Sequence, residues 1–322
     1  MCVAALVILS LFLPGGHEVA IGEVKSDDSS TEVPSSSEEQ ATDEIPEAES
    51  EPEQPGTSDK PPRRRIFKNI GPQPLTPEQR EEAERLRKVA AKYGTDPTAI
   101  VGRFQLSSQY LDLTPHANAT LTTARVDLPF RGDYLLRMDM PFLRTSDAQN
   151  PGMGSQRGLS DLSVTAGWRV YNTPEYAVLI GAFSSFPTAS EPALGFGKYT
   201  VGPAVATARF LPRLDSLLFG VLNYTTSVGG DPSRKDVSFF SAAAQINSFW
   251  GQHWWTIVQS IWQVDFERSA KSSMTMEFEG GRNLIGRFGA YVRPGVGIYG
   301  RDLTGAYIWN IEVGVRYVFK SF

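Results

Sequence analysis

The chain has 322 residues, 41% of them hydrophobic, with 31 Lys and Arg against 36 Asp and Glu, a formal charge of −5 and a mean hydropathy of −0.24. Past the first dozen positions no apolar run reaches the roughly 18 residues that a membrane-crossing helix needs, which excludes a helical membrane protein. The single cysteine, Cys2, excludes intrachain disulfides and Cys-based metal sites.

The charge is unevenly spread. Residues 23–60 hold 13 acidic side chains and only Lys25 and Lys60, so a tract of net −11 precedes a body, residues 61–322, of net +7. Residues 1–20 have the form of a signal peptide: the apolar run from Val3 to Leu13 breaks at Pro14-Gly15-Gly16. Residues 21–75 read as a linker, acidic and then basic at Arg63-Arg64-Arg65, too poor in branched and aromatic residues to offset its ordering entropy. Over 76–95 the pattern predicts a short charged helix, with Thr76 ahead of Pro77, Glu78 in the first turn and a stop at Gly94. Its apolar stripe of Ala83, Leu86, Val89 and Ala90 is thin, which suits docking on another surface better than an independent core.

From residue 100 to 322 the period changes to two. About twelve segments of roughly 9 to 14 residues follow, bounded by Gly, Pro, Asn, Asp or Ser. In 161–171, Leu162, Val164, Ala166, Trp168 and Val170 oppose Asp161, Ser163, Thr165, Arg169 and Tyr171. Tyr134, Leu136, Met138, Met140 and Phe142 oppose Arg137 and Asp139, and the run from Tyr307 to Phe319 opposes Asn310, Glu312 and Arg316. Segments 199–211 and 215–228 show no clean face and are placed by spacing alone. The expected fold is all-β: a transmembrane up-and-down antiparallel barrel of about twelve strands. A rich apolar face with charges opposite suits hydrocarbon outside and a polar interior. The links alternate between long and short, the short ones including Arg131-Gly132, 172–175, 212–214, Gly251-Gln252 and 283–285. Long loops outside and short periplasmic turns are the rule in such barrels. Trp168, Trp250 and Trp254 fall near inner strand ends and Trp309 near an outer one, as an aromatic girdle requires.

Projected inward are Arg103, Gln105, Gln109, Arg125, Asp127, Arg137, Asp139, Asp161 and Arg169 in the first half. Gln259, Gln263, Asp265, Glu277, Glu279, Arg287, Arg293, Glu312 and Arg316 follow in the second. Both signs are interleaved, with Asp265, Glu277 and Glu279 expected to face Arg287 and Arg293. Such a lining can hydrogen-bond a polar solute in a narrow channel. It can equally be a closed interior whose charges satisfy one another. Catalysis is not expected: His116 and His253 lack a serine two residues on, and no His/Asp/Glu metal cluster or phosphate loop is present in the sequence. No cofactor and no nucleic-acid partner is expected.

The closing stretch Val313-Gly314-Val315-Arg316-Tyr317-Val318-Phe319 resembles the C-terminal signature of bacterial outer-membrane proteins, which implies that Tyr317, Phe319 and the terminal Phe322 serve the outer-membrane barrel assembly machinery. Leu136 to Arg144 (LRMDMPFLR), Gly158 to Ser163 and Ser185-Phe186-Pro187-Thr188 are similar to the meta-pathway phenol degradation family of outer-membrane proteins, over about residues 103–319. That resemblance implies an outer-membrane barrel that passes small, often aromatic, compounds. The expectation is therefore a channel or transporter for small solutes in the outer membrane of a Gram-negative-type bacterium, in contact with outer-membrane lipid and with its N-terminal arm in the periplasm. A structural or anchoring barrel whose arm engages periplasmic partners is the alternative. The helix at 77–93 could also fold into the lumen as a plug.

Overall fold

The computed structural model describes residues 75–114, 117–148, 155–301, 303 and 305–319. Residues 1–74, which hold the leader and all of the linker but Leu75, lie outside the described residues, as do His116 and Phe322.

A helix, α1 (Pro77–Tyr93), precedes the strands β1 (Gly102–Thr114), β2 (Ala117–Phe130), β3 (Tyr134–Ala148), β4 (Gln156–Gly158), β5 (Leu162–Asn172), β6 (Tyr176–Phe186) and β7 (Lys198–Leu211). They continue as β8 (Ser216–Gly230), β9 (Ser238–Trp250), β10 (Trp254–Asp265), β11 (Lys271–Ile285), β12 (Phe288–Tyr299) and β13 (Trp309–Phe319). Each long strand pairs antiparallel with its sequence neighbour, and β1 pairs with β13 from Gly102↔Phe319 to Asp112↔Trp309, closing a twelve-strand barrel. The three-residue β4 pairs only with the outer part of β3, beyond the stretch where β3 pairs with β5. Closure leaves no open sheet edge, the condition for backbone to cross hydrocarbon.

Period two sets the two faces. Phe104, Met140, Trp168, Ile180, Val258, Phe278, Val292 and Val313 are exposed on the outside. Arg103, Gln105, Asp127, Glu277, Glu279, Glu312 and Arg316 are buried on the inside. A soluble barrel inverts this distribution; hydrocarbon outside makes it favourable.

β7 and β8 lack a polar face for a physical reason. Their inward positions, among them Ala206, Ala208, Phe210, Leu217, Phe219 and Val221, pack with Ala83, Leu86, Ala90 and Tyr93 of α1, so both of their faces meet apolar surroundings. The turn expected at 283–285 is displaced: β11 runs through a register shift to Ile285, and Gly286, at φ +58°, makes the turn with Arg287.

Candidate functional site: a charged lumen closed by a helix

α1 begins as its sequence dictates. The Thr76 hydroxyl accepts from the Gln79 amide and the Gln79 side chain accepts from the Thr76 amide, a reciprocal cap that satisfies two free donors. It ends at Gly94, whose φ of +65° belongs to the left-handed region and whose amide donates back to the Ala90 and Ala91 carbonyls. Between these caps the thin stripe Ala83, Leu86 and Ala90, together with Tyr93, is buried against inward residues of the barrel. The Tyr93 ring lies 5.6 Å from Trp255 and 6.2 Å from Phe249.

Polar contacts tie the helix to the rim of short turns. Arg85 donates to Asp215 (2.6 Å) and Arg87 donates to the Thr173 carbonyl (2.6 Å) and to Asn172. The Tyr93 hydroxyl donates to the Gln252 carbonyl. Beyond the helix the chain enters the lumen: the Gly94 carbonyl accepts from Arg103 (2.6 Å) and Arg316 (3.3 Å), and the Thr95 carbonyl accepts from Asn247 (2.5 Å). The negative end of the helix dipole thus meets two guanidinium groups. Asp96 is buried; its Oδ1 accepts from the Thr98 amide and hydroxyl, while its Oδ2 has no partner. Burial pushes this carboxyl above the usual carboxylate range, although the Thr98 hydrogen bonds and the charges of Arg87 and Arg169 pull the other way.

The inward charges form two linked groups. Across β1 to β3, Arg103 and Arg137 share Asp127, and Arg125 pairs with Asp139. Across β11 to β13, Arg293 bridges Glu279 and Glu312, and Arg316 pairs with Glu279 at 2.7 Å. Arg316 also lies over Tyr291 (4.5 Å) and Trp255 (5.3 Å), and the Trp255 indole donates to Glu279 (2.7 Å). The first group carries one cation in excess and the second, in which Glu277 also lies 4.0 Å from Arg293, one anion in excess, so the lining as a whole is neutral. Gln105 donates to Tyr291 between them.

A cavity of about 640 Å³ opens above Gly94, Thr95 and Pro97. One wall, formed by β11 to β13 and β1 to β3, carries these charges with Gln109 and Leu121. The other, formed by β6 to β10, is mostly apolar, with Leu179, Phe219, Val221, Ile257 and Ile261 around Gln245 and Gln259. On the side of the long links, Gly305 and Tyr307 turn inward: the Tyr307 hydroxyl donates to Glu277 (2.8 Å), and Gly305 lies against the Gln263 amide.

Four residues expected on the lumen wall sit at its ends, where the strands give way to links. Asp161 accepts from the Ala189 amide (3.1 Å) and the Phe196 amide (2.6 Å) and orders a long link. Arg169 donates to Asp133 and the Gly132 carbonyl at a short turn. Asp265 accepts from the Glu267 amide and pairs with Arg268. Arg287 lies in the turn with Gly286, so Glu277 and Glu279 find Arg293 and Arg316 instead. Trp168, Trp250, Trp254 and Trp309 are all exposed on the outer face, Trp168 stacked with Tyr134 and Trp309 near Tyr110. Tyr317 is exposed, and the Phe319 ring covers Gly102, where a Cβ would collide with it. His253 is an exposed turn residue. Among the described residues no group of three or more His, Cys, Asp or Glu could hold a metal ion.

Trp255, Asn247 and Gly94 were not legible as lumen residues from charge alone, and Tyr307, expected on the outward face with Trp309, is buried inside because it precedes β13 and donates to Glu277. Trp255 did carry a signal, since period two with Trp254 outward requires it to point inward.

No protein-family model matches the sequence, and no curated protein matches it. The fold is shared with solved structures. An outer membrane channel from Pseudomonas putida F1 superposes with a TM-score of 0.55 at 11% identity, covering 70% of this chain and 97% of that one. This is the fold of outer-membrane β-barrels. The NanC porin gives a TM-score of 0.49 at 12% identity, covering 66% and 98%, and the KdgM porin in complex with disordered oligogalacturonate gives 0.43 at 10%, covering 67% and 99%.

Proposed function

We propose that this chain is an outer-membrane channel for small solutes, aromatic or polar, whose mouth on the short-turn side is plugged by its own helix α1. One observation carries the reading: a cavity of about 640 Å³ inside the barrel, charged on one wall and apolar on the other, with residues 94–97 as its floor. Short turns mark the periplasmic side of outer-membrane barrels, so the plug and the N-terminal arm face the periplasm. A neutral lining of paired charges and glutamines disfavours solutes of large net charge and offers hydrogen bonds to polar ones. The apolar wall suits a ring. The motif resemblance to the phenol degradation family and the fold shared with the Pseudomonas putida channel both support transport. Outer-membrane lipid, the barrel assembly machinery and the solute are the partners this reading requires.

The test is planar-bilayer conductance of the refolded chain with swelling of proteoliposomes in small solutes. Channel openings and solute uptake are expected. A chain that folds but never conducts and never admits solute overturns the reading. The mutual pairing of the lumen charges favours the second reading, a structural or anchoring barrel whose N-terminal arm binds periplasmic partners. Deleting residues 22–95 separates them: a channel keeps or gains conductance, whereas an anchor loses its partner.

A further inference from the structure

We propose that the short-turn rim carries a binding site for the headgroup phosphate of an anionic phospholipid, built by Arg282 over the ring of Trp254. The inference rests on the reading of the chain as an outer-membrane barrel.

Trp250, Trp254 and Arg282 are consecutive cross-strand partners on β9, β10 and β11, all on the outer face. The two indoles are 58% and 53% exposed. The Trp250 indole is fixed by donating to the Thr256 hydroxyl (2.9 Å). The Arg282 guanidinium lies 5.0 Å above the Trp254 ring. An arginine held in this way uses its face against the ring and leaves its edge N–H groups for a ligand.

The remaining arginines at this rim differ in what holds them. Arg85, Arg169 and Arg209 each have a carboxylate, from Asp215, Asp133 and Glu175, Arg87 donates to the Thr173 carbonyl, and Arg131 and Arg213 are exposed residues of short links. Among the described residues no carboxylate pairs with Arg282.

The turn that follows Arg282 is apolar. Ile285 is 82% exposed, Leu284 50% and Phe288 39%. Such a tip is costly in water and favourable at the boundary between headgroups and acyl chains. It is continuous with the outward belt through Phe278 and Val292, which assigns it to lipid. Acyl chains would lie against the tip and the indoles, and the phosphate would meet the guanidinium edges bidentately. With the Arg282 cation and no carboxylate paired to it that could receive an ammonium, the site favours phosphatidylglycerol over phosphatidylcholine.

The experiment is native mass spectrometry of the full-length refolded chain in detergent, titrated with equal amounts of the two lipids. Retention of phosphatidylglycerol over phosphatidylcholine is expected, falling about fivefold on Arg282→Gln, the effect of one cation near a lipid headgroup. Arg213→Gln, which removes an exposed rim cation without a stacked ring, should leave it unchanged. Equal retention of both lipids by the parent chain, no change on Arg282→Gln, or an equal fall on Arg213→Gln overturns the site. Heat-modifiable migration of each variant on a gel is scored separately: loss of it in the parent chain overturns the barrel reading itself.

Discussion

Replacing Leu86 by Ala tests whether α1 is a docked plug. Leu86 is completely buried, and its neighbours are inward barrel residues such as Phe210, Leu217 and Trp255. Truncating a buried leucine costs about 2–5 kcal/mol through lost transfer energy and the void left behind. The barrel ladders do not depend on Leu86, so this cost falls on docking of the helix. At about 1.4 kcal/mol per decade, the ratio of undocked to docked helix should rise about 30-fold at the lower bound and some thousands-fold at the upper. Hydrogen exchange resolves it: amides of α1 should lose protection by that factor while β1 and β13 keep theirs, and channel openings should become more frequent. Unchanged α1 protection would refute the reasoning. So would equal loss in α1 and in β1, because the helix would then be an integral part of the barrel core.

Other outcomes follow from single features. Gly94→Ala forces a side chain into a left-handed conformation, 3.0 Å from Val318 and 3.2 Å from Arg103, and should loosen the plug by about 1 kcal/mol or more, read as faster α1 exchange. Asp96 has a raised carboxyl pKa when docked, so docking is favoured below the ordinary value of 3.8 and weakens as pH rises through the raised value. Openings should therefore become rarer as pH falls from neutrality, and Asp96→Asn should flatten that profile; a profile identical to the parent's contradicts the assignment. Gly281→Leu would drive a side chain into the Trp255 ring and should abolish the heat-modifiable folded form. Phe319→Ala removes the ring that covers Gly102 at the junction of first and last strands and should slow barrel assembly in folding assays.

The barrel was legible because period two is a local signal: Leu162 to Val170 and Tyr134 to Phe142 state their faces without knowledge of any partner. β7 and β8 could be placed only by spacing, since their inward alanines, Phe210 and Leu217 answer to a helix more than a hundred residues away in sequence. The same long-range pairing explains the site. Arg293 and Arg316 announce themselves as inward charges, but nothing in the chain order says that Glu279 lies between them or that the Gly94 carbonyl completes the group. Arg287 was misplaced because a register shift near Asn283 moves the turn by a few residues, and a turn residue has no obligatory face. The thin apolar stripe of α1 suited docking, and its surface proved to be the inner wall of the barrel.

The most direct test of a plugged channel is planar-bilayer conductance of the chain with and without residues 75–98. The account predicts a larger and more persistent conductance once these residues are removed, in a barrel that still shows heat-modifiable migration. The same conductance in both, from equally folded barrels, would contradict it.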